Sequence, residues 1–117
     1  MSEFAQRIAR AWTRESAMDP VAWTPENPAK DQCAVTAAFL WERLRLPVVR
    51  GRAILPDGTI DSHYWNEGVD LTRLQYPAGT RIEVRQGPQG EDAYDYLMSN
   101  PDLVRRLEIF RLQFDTA

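Results

Sequence analysis

Cysteine occurs once in this chain, histidine once and lysine once. A single cysteine cannot close an internal disulfide, so the sequence carries no mark of an oxidising compartment and points to the cytoplasm. There is no excess of positive charge either. Fourteen basic residues, nearly all arginine, stand against 17 acidic ones for a net charge of −3, and they are scattered among the acids. A nucleic-acid surface needs a basic face to collect phosphates, so no nucleic-acid partner is expected. No apolar run approaches the ~20 residues that cross a bilayer. Residues 1–12 lack the continuous apolar core of a signal peptide. The expectation is a soluble chain with no membrane partner, its oligomeric state left open.

What is present suits one globular domain over residues 1–117. Hydrophobic residues make up 44% and charged residues 26% of the 117, and roughly two-thirds of the surface of such a chain can be buried without a metal or disulfide staple. Ser2 to Ala17 has the apolar spacing of an amphipathic helix, with Phe4, Ala5, Ile8, Ala9 and Trp12 on one face and arginines on the other, ending before Pro20. Pro25 and Pro28 force a loop. Asp31 to Leu46 is the strongest helix, with Asp31 as N-cap, a buried stripe of Val35, Ala38, Phe39 and Leu40, and Pro47 as its stop. Val48–Leu55, Ile60–Trp65 and Val69–Leu71, separated by Pro56-Asp57-Gly58 and Asn66-Glu67-Gly68, read as an antiparallel meander over 48–74. Arg81–Arg85 predicts a further strand. Glu91–Ser99 predicts a short helix, and Leu103, Val104, Leu107 and Phe110 a closing one. The fold class is α+β, with the cysteine-bearing helix packed on an antiparallel meander between terminal helices.

Cys33 falls in the first turn of the strongest helix. A free cysteine is most often a small buried hydrophobe. At a helix N-terminus, however, unpaired N–H groups and the dipole favour a thiolate, and the same N–H groups can donate to an oxyanion. His63, the sole histidine, is either a half-buried strand residue bonded to a carbonyl or the base for Cys33. A hairpin centred on the Asn66–Glu67 bond pairs positions 63 and 70, bringing Asp70 within reach of one imidazole nitrogen and leaving the other for the thiol. That gives nucleophile, base and orienter in the order Cys33, His63, Asp70. The plain alternative for Asp70 is a solvated strand acid, and strand alternation sets it opposite Val69 and Leu71. Gln32 is a candidate oxyanion donor, otherwise an ordinary exposed side chain. Tyr64 and Trp65 are candidate pocket walls or core, and Asn66 replaces Asp70 as orienter if the register shifts. Cys33, His63 and Asp70 also match the ligand count of a catalytic zinc, but their spacing fits no zinc motif, so no metal or other cofactor is expected.

Three ordered segments then resemble a known family. Asn27 to Ala37 with Asp31-Gln32-Cys33, His63-Tyr64-Trp65-Asn66, and Val69-Asp70-Leu71-Thr72 running on to Gln75-Tyr76 are similar to the YunG-like family of small bacterial proteins. Its pattern is Gly-Gln-Cys opening a helix, a His-Tyr-Trp/Tyr-Asn strand, and Asp-Leu-Thr followed by Gln-Phe. The likeness spans Trp23 to Tyr76 and, more loosely, the arginine-rich C-terminal helix. It implies a papain-like fold related to transglutaminase and NlpC/P60 domains. Asp31 stands where the pattern has glycine, placing a negative charge that opposes a Cys33 thiolate, and Tyr76 stands where it has phenylalanine. The expected activity is cysteine-dependent acyl transfer on a small-molecule or peptide amide, as a peptidase, amidase or deamidase. The alternative is a non-catalytic binding module of the same fold.

Overall fold

The computed structural model describes residues 2–116. The chain begins with helix α1 (Glu3–Arg10), capped by the Ser2 hydroxyl, which accepts from the Ala5 N–H at 3.1 Å. This helix is shorter than the Ser2–Ala17 span its periodicity predicts. Ser16 is the reason: its hydroxyl accepts the Thr13 N–H at 3.1 Å, Thr13 turns extended, and residues 14–16 close a separate 3-10 turn. Short hydroxyl side chains compete in this way with the helical ladder.

Helix α2 (Cys33–Leu44) starts two residues later than expected. Asp31 is not its cap, because its φ is +60°, in the left-handed region that glycine occupies without strain. Gln32 holds the N-cap position, and the first helical bond runs from the Thr36 N–H to the Gln32 carbonyl at 3.1 Å. Arg45 ends the helix in a left-handed cap.

Strands β1 (Val48–Ile54) and β2 (Ile60–Asn66) form the expected hairpin, with Gly58 at φ +90° in the turn. The meander then departs from expectation. Asn66 and Val69 exchange backbone bonds at 3.1 and 2.9 Å, while the Glu67 N–H turns back to the Pro47 carbonyl at 3.0 Å. The chain therefore leaves the sheet, and residues 71–75 coil into a 3-10 helix instead of a third strand. Strand β3 (Arg81–Val84) pairs with β1 on its other side, giving the order β2-β1-β3. His63 consequently opposes Gly51, not Asp70. One edge of β2 stays free of strands.

Helices α3 (Gly90–Met98) and α4 (Pro101–Thr116) complete the fold. Phe39 of α2 packs against Phe110 and Phe114 of α4 with ring centroids 5.0 and 4.7 Å apart. All three are buried, each contributing roughly 1.5–3 kcal/mol of transfer free energy. The buried Trp12 indole donates to Thr36 Oγ1 at 2.9 Å, tying the N-terminal segment to the same helix. The start of α2 is thus anchored from both sides.

Candidate active site

The free edge of β2 is where three segments converge. The N-terminus of α2 brings Cys33, β2 brings His63, and the chain leaving β2 brings Asp70 and Tyr76. His63 is fully buried. Its Nε2 lies 2.9 and 3.0 Å from the two carboxylate oxygens of Asp70, so Asp70 accepts the Nε2 proton and the other nitrogen, Nδ1, is left as the basic one. The structure thus joins His63 and Asp70 by a route other than ladder pairing. Asp70 sits where the chain has already turned off the sheet, at φ −130° just before the 3-10 helix.

Two aromatic rings fix the imidazole in the remaining directions. Trp65, two residues along the same strand face, stacks on it with centroids 5.3 Å apart and planes 22° apart. Gly51, opposite His63, makes room for that indole: a Cβ there would stand 2.4 Å from the Trp65 ring and 2.4 Å from the Glu83 carbonyl oxygen. Tyr76 meets His63 edge-on at 5.2 Å, and its hydroxyl lies 3.4 Å from Nδ1.

The electrostatics follow from these neighbours. Burial opposes the imidazolium, but its hydrogen bond to the Asp70 carboxylate, and then the Cys33 sulfur and the charges of both groups, outweigh it, so the His63 pKa is pushed up from 6.5 to about 9. Tyr76 is pushed the opposite way from ionisation. Burial first, then the nearby charges of Cys33, Asp61, Asp70 and Asp31, raise its pKa and keep the phenol protonated. Asp31 is also raised, chiefly by burial, with Asp19 and Asp61 adding to the effect and Lys30 opposing it.

Cys33 is partly exposed and opens into a cleft of about 420 Å³ whose walls include Asp31, Asp61, Tyr64 and Tyr76. Its place in the first turn leaves N–H groups free of intrahelical partners to face an anion. Gln32 does not join them. Its side chain is fully buried and turned to the N-terminal segment, donating to the Thr13 carbonyl at 2.8 Å and accepting from Ser16 Oγ at 2.9 Å. These bonds tie the residue before Cys33 to the N-terminal segment. Asn66 is likewise structural: its Nδ2 donates to the carbonyls of Ala37 and Leu46, both at 3.0 Å, which clamps β2 to α2. Trp65 packs on His63, and Tyr64 serves both core and cleft wall.

Two residues of this centre carry no role in the sequence reading. Gln75 accepts the Asp31 N–H on Oε1 at 3.1 Å, and its backbone carbonyl accepts from Asn27 Nδ2 at 3.2 Å. It joins the loop before Cys33 to the segment after Asp70. Tyr76 is the other. The only sequence signal for either is the Gln75-Tyr76 pair that closes the third motif.

Among the described residues, no group of three or more histidine, cysteine or acidic side chains is arranged to hold a metal ion. No described helix is long and apolar enough to cross a membrane. Neither a curated protein nor a solved structure matches the chain. The family model of the YunG protein matches residues 1–105, and with that match over nearly its whole length the chain belongs to the YunG family.

Proposed function

We propose that the protein is a cysteine-dependent acyl-transfer enzyme acting on amides, with Cys33 as nucleophile, His63 as general base and acid, and Asp70 as its orienter. The observation that carries this reading is the buried imidazole whose Nε2 is held by the Asp70 carboxylate at 2.9 Å, with Cys33 near enough to favour its charged form. A helix-borne cysteine facing a histidine on an edge strand also suits a papain-like organisation of the α+β fold.

The chemistry closes with these groups alone. Cys33 gives its thiol proton to His63, its sulfur attacks the carbonyl carbon, and the first-turn N–H groups of α2 stabilise the oxyanion. On collapse the C–N bond breaks, and the His63 imidazolium gives its proton to the leaving amine. Water, deprotonated by His63, then attacks the thioester, releasing the acid and restoring the thiol. The protonated Tyr76 hydroxyl lies 3.4 Å from Nδ1, where it accepts a hydrogen bond from the imidazolium or donates one to the neutral ring but cannot take the proton.

The test combines reactivity with turnover. His63→Ala should slow alkylation of Cys33 by iodoacetamide at pH 6–7, and Cys33→Ala and His63→Ala should each abolish hydrolysis of a chromogenic ester and an anilide. Equal alkylation of wild type and His63→Ala would defeat the proposal. One observation favours a second reading, a non-catalytic binding module: the group at hydrogen-bond distance from Nδ1 is the Tyr76 hydroxyl. No hydrolysis by wild type, together with clear destabilisation by both substitutions, would decide for that reading.

A further inference from the structure

The cleft at Cys33 is not a closed chamber. A second cavity of about 410 Å³ adjoins it, and the two share Met18, Ala34, Ser62 and Tyr64 as common walls. Ala34 is the residue directly after the nucleophile, so Cys33 stands beside the junction and not at a dead end. Met18 is 64% exposed, and its unbranched thioether is the kind of side chain that yields to different occupants.

The two halves differ in chemistry. The Cys33 half carries Asp19, Asp31 and Asp61 against the single ammonium of Lys30. Asp31 is disfavoured as an anion by burial and by the other two carboxylates. The second half is walled by Tyr96, Leu97 and Leu103, and its one charged group, Arg106, is committed to Asp102 at 2.8 Å and turned to the Ser16 carbonyl at 3.4 Å. A small amide would fill one half only. An extended chain, advancing about 3.3 Å per residue, spans both and lays its backbone past the cysteine.

From the confluence of these two cavities we infer that the substrate is an extended polypeptide segment with a lysine- or arginine-type side chain in the carboxylate-lined half and an aliphatic side chain in the Tyr96–Leu103 half. The inference rests on the acyl-transfer reading for which peptide bond reacts, and on the cleft alone for what binds. Charge complementarity selects the cation, since the carboxylates of Asp19 and Asp61, with Asp31 disfavoured as an anion beside them, outnumber the one ammonium of Lys30. Apolar walls select the aliphatic residue.

Binding to the full-length Cys33→Ala protein separates the two claims. Fluorescence anisotropy is read with labelled acetyl-Gly-Lys-Ala-Leu-Gly-amide, with the same peptide carrying Glu for Lys, and with one carrying Gly for Leu. The lysine peptide should bind roughly tenfold more tightly than the glutamate peptide, and the gap should shrink several-fold in 0.5 M salt. Asp61→Asn, at an exposed position, should weaken the lysine peptide about threefold and leave the glutamate peptide no weaker. Replacing Leu by Gly should cost about fivefold, a difference that Ser62→Phe at the junction should erase. Equal binding of the lysine and glutamate peptides, or no effect of the leucine, would overturn the inference. Ester hydrolysis by wild type without peptide preference would refute this inference and leave the acyl-transfer reading standing. Peptide preference without any turnover would do the reverse.

Discussion

The protonation of His63 offers the sharpest measurement, because the chain has only one histidine and a single imidazole Cε1–H resonance reports it. A pKa of about 9 in the folded protein against 6.5 as the ordinary value means that folding favours the protonated ring. That contribution is fully present below pH 6.5 and is lost as pH rises through about 9. The interval, at 1.36 kcal/mol per pH unit, corresponds to about 3 kcal/mol, a large share of the ~5–15 kcal/mol that stabilises a typical domain. Urea unfolding should therefore show stability falling by about that amount between pH 6 and 9.5. Asp70→Asn removes the carboxylate but keeps the shape. The hydrogen bond it leaves is to a neutral amide oxygen, without the charge assistance that makes such bonds worth ~1.5–3 kcal/mol, so the His63 midpoint should drop by roughly one to two pH units. Cys33→Ala should lower it too, since the sulfur is the second group holding the imidazolium. A wild-type midpoint at or below 6.5, or one indifferent to both substitutions, would show that burial wins and that the ring is a neutral core histidine.

Gly51→Ala should destabilise the protein by roughly 1–3 kcal/mol in urea unfolding, because one of the atoms 2.4 Å from the new methyl is backbone that cannot swing aside; the His63 resonance should shift as the Trp65 ring is displaced. Asp31→Gly relieves a left-handed backbone and deletes a carboxylate from the Cys33 cleft, so iodoacetamide should alkylate Cys33 about two- to fivefold faster at pH 7, with no loss of melting temperature. Tyr76→Phe keeps the edge contact with His63 and removes the hydroxyl near Nδ1; melting temperature should stay within about 4 °C, and the alkylation rate at pH 7 should rise if the phenol competes with the thiol.

Much of the fold was legible because it rests on local chemistry. The apolar stripe from Val35 to Leu40 and the prolines on either side of α2 specify that helix without reference to the rest of the molecule. The β1–β2 hairpin is announced by Pro56-Asp57-Gly58. The structure departs from the local pattern where a tertiary contact overrides it. Val69–Leu71 has strand composition, yet Val69 and Leu71 pack against the core, and Asn66 closes the turn in a way that directs the following residues off the sheet. Likewise α1 keeps helical periodicity beyond Arg10, but the hydroxyl of Ser16 and its bond to the buried Gln32 convert that stretch into an irregular strap.

The site shows the same division more sharply. Cys33 and His63 were legible from scarcity and position, since a lone cysteine in a helix's first turn and a lone histidine on a strand leave few combinations. Pairing arithmetic sets Asp70 opposite His63, but the ladder does not obey it, since His63 faces Gly51 across the sheet. The two side chains still meet because the Asn66–Val69 turn folds the chain back over the free edge of β2. A short sequence separation therefore constrained the pair more strongly than the register did. Gln32 could not be assigned from sequence for the opposite reason. Its polar side chain finds partners at Thr13 and Ser16, 19 and 16 residues away, contacts that no local pattern encodes. That buried amide, bonded to Thr13 and Ser16, ties the start of α2 to the N-terminal segment. The departure of Asp31 from glycine carries the same lesson in reverse: a residue read as a cap by its chemistry is fixed by its backbone angle, and its carboxylate is left in the cleft as part of the acidic wall.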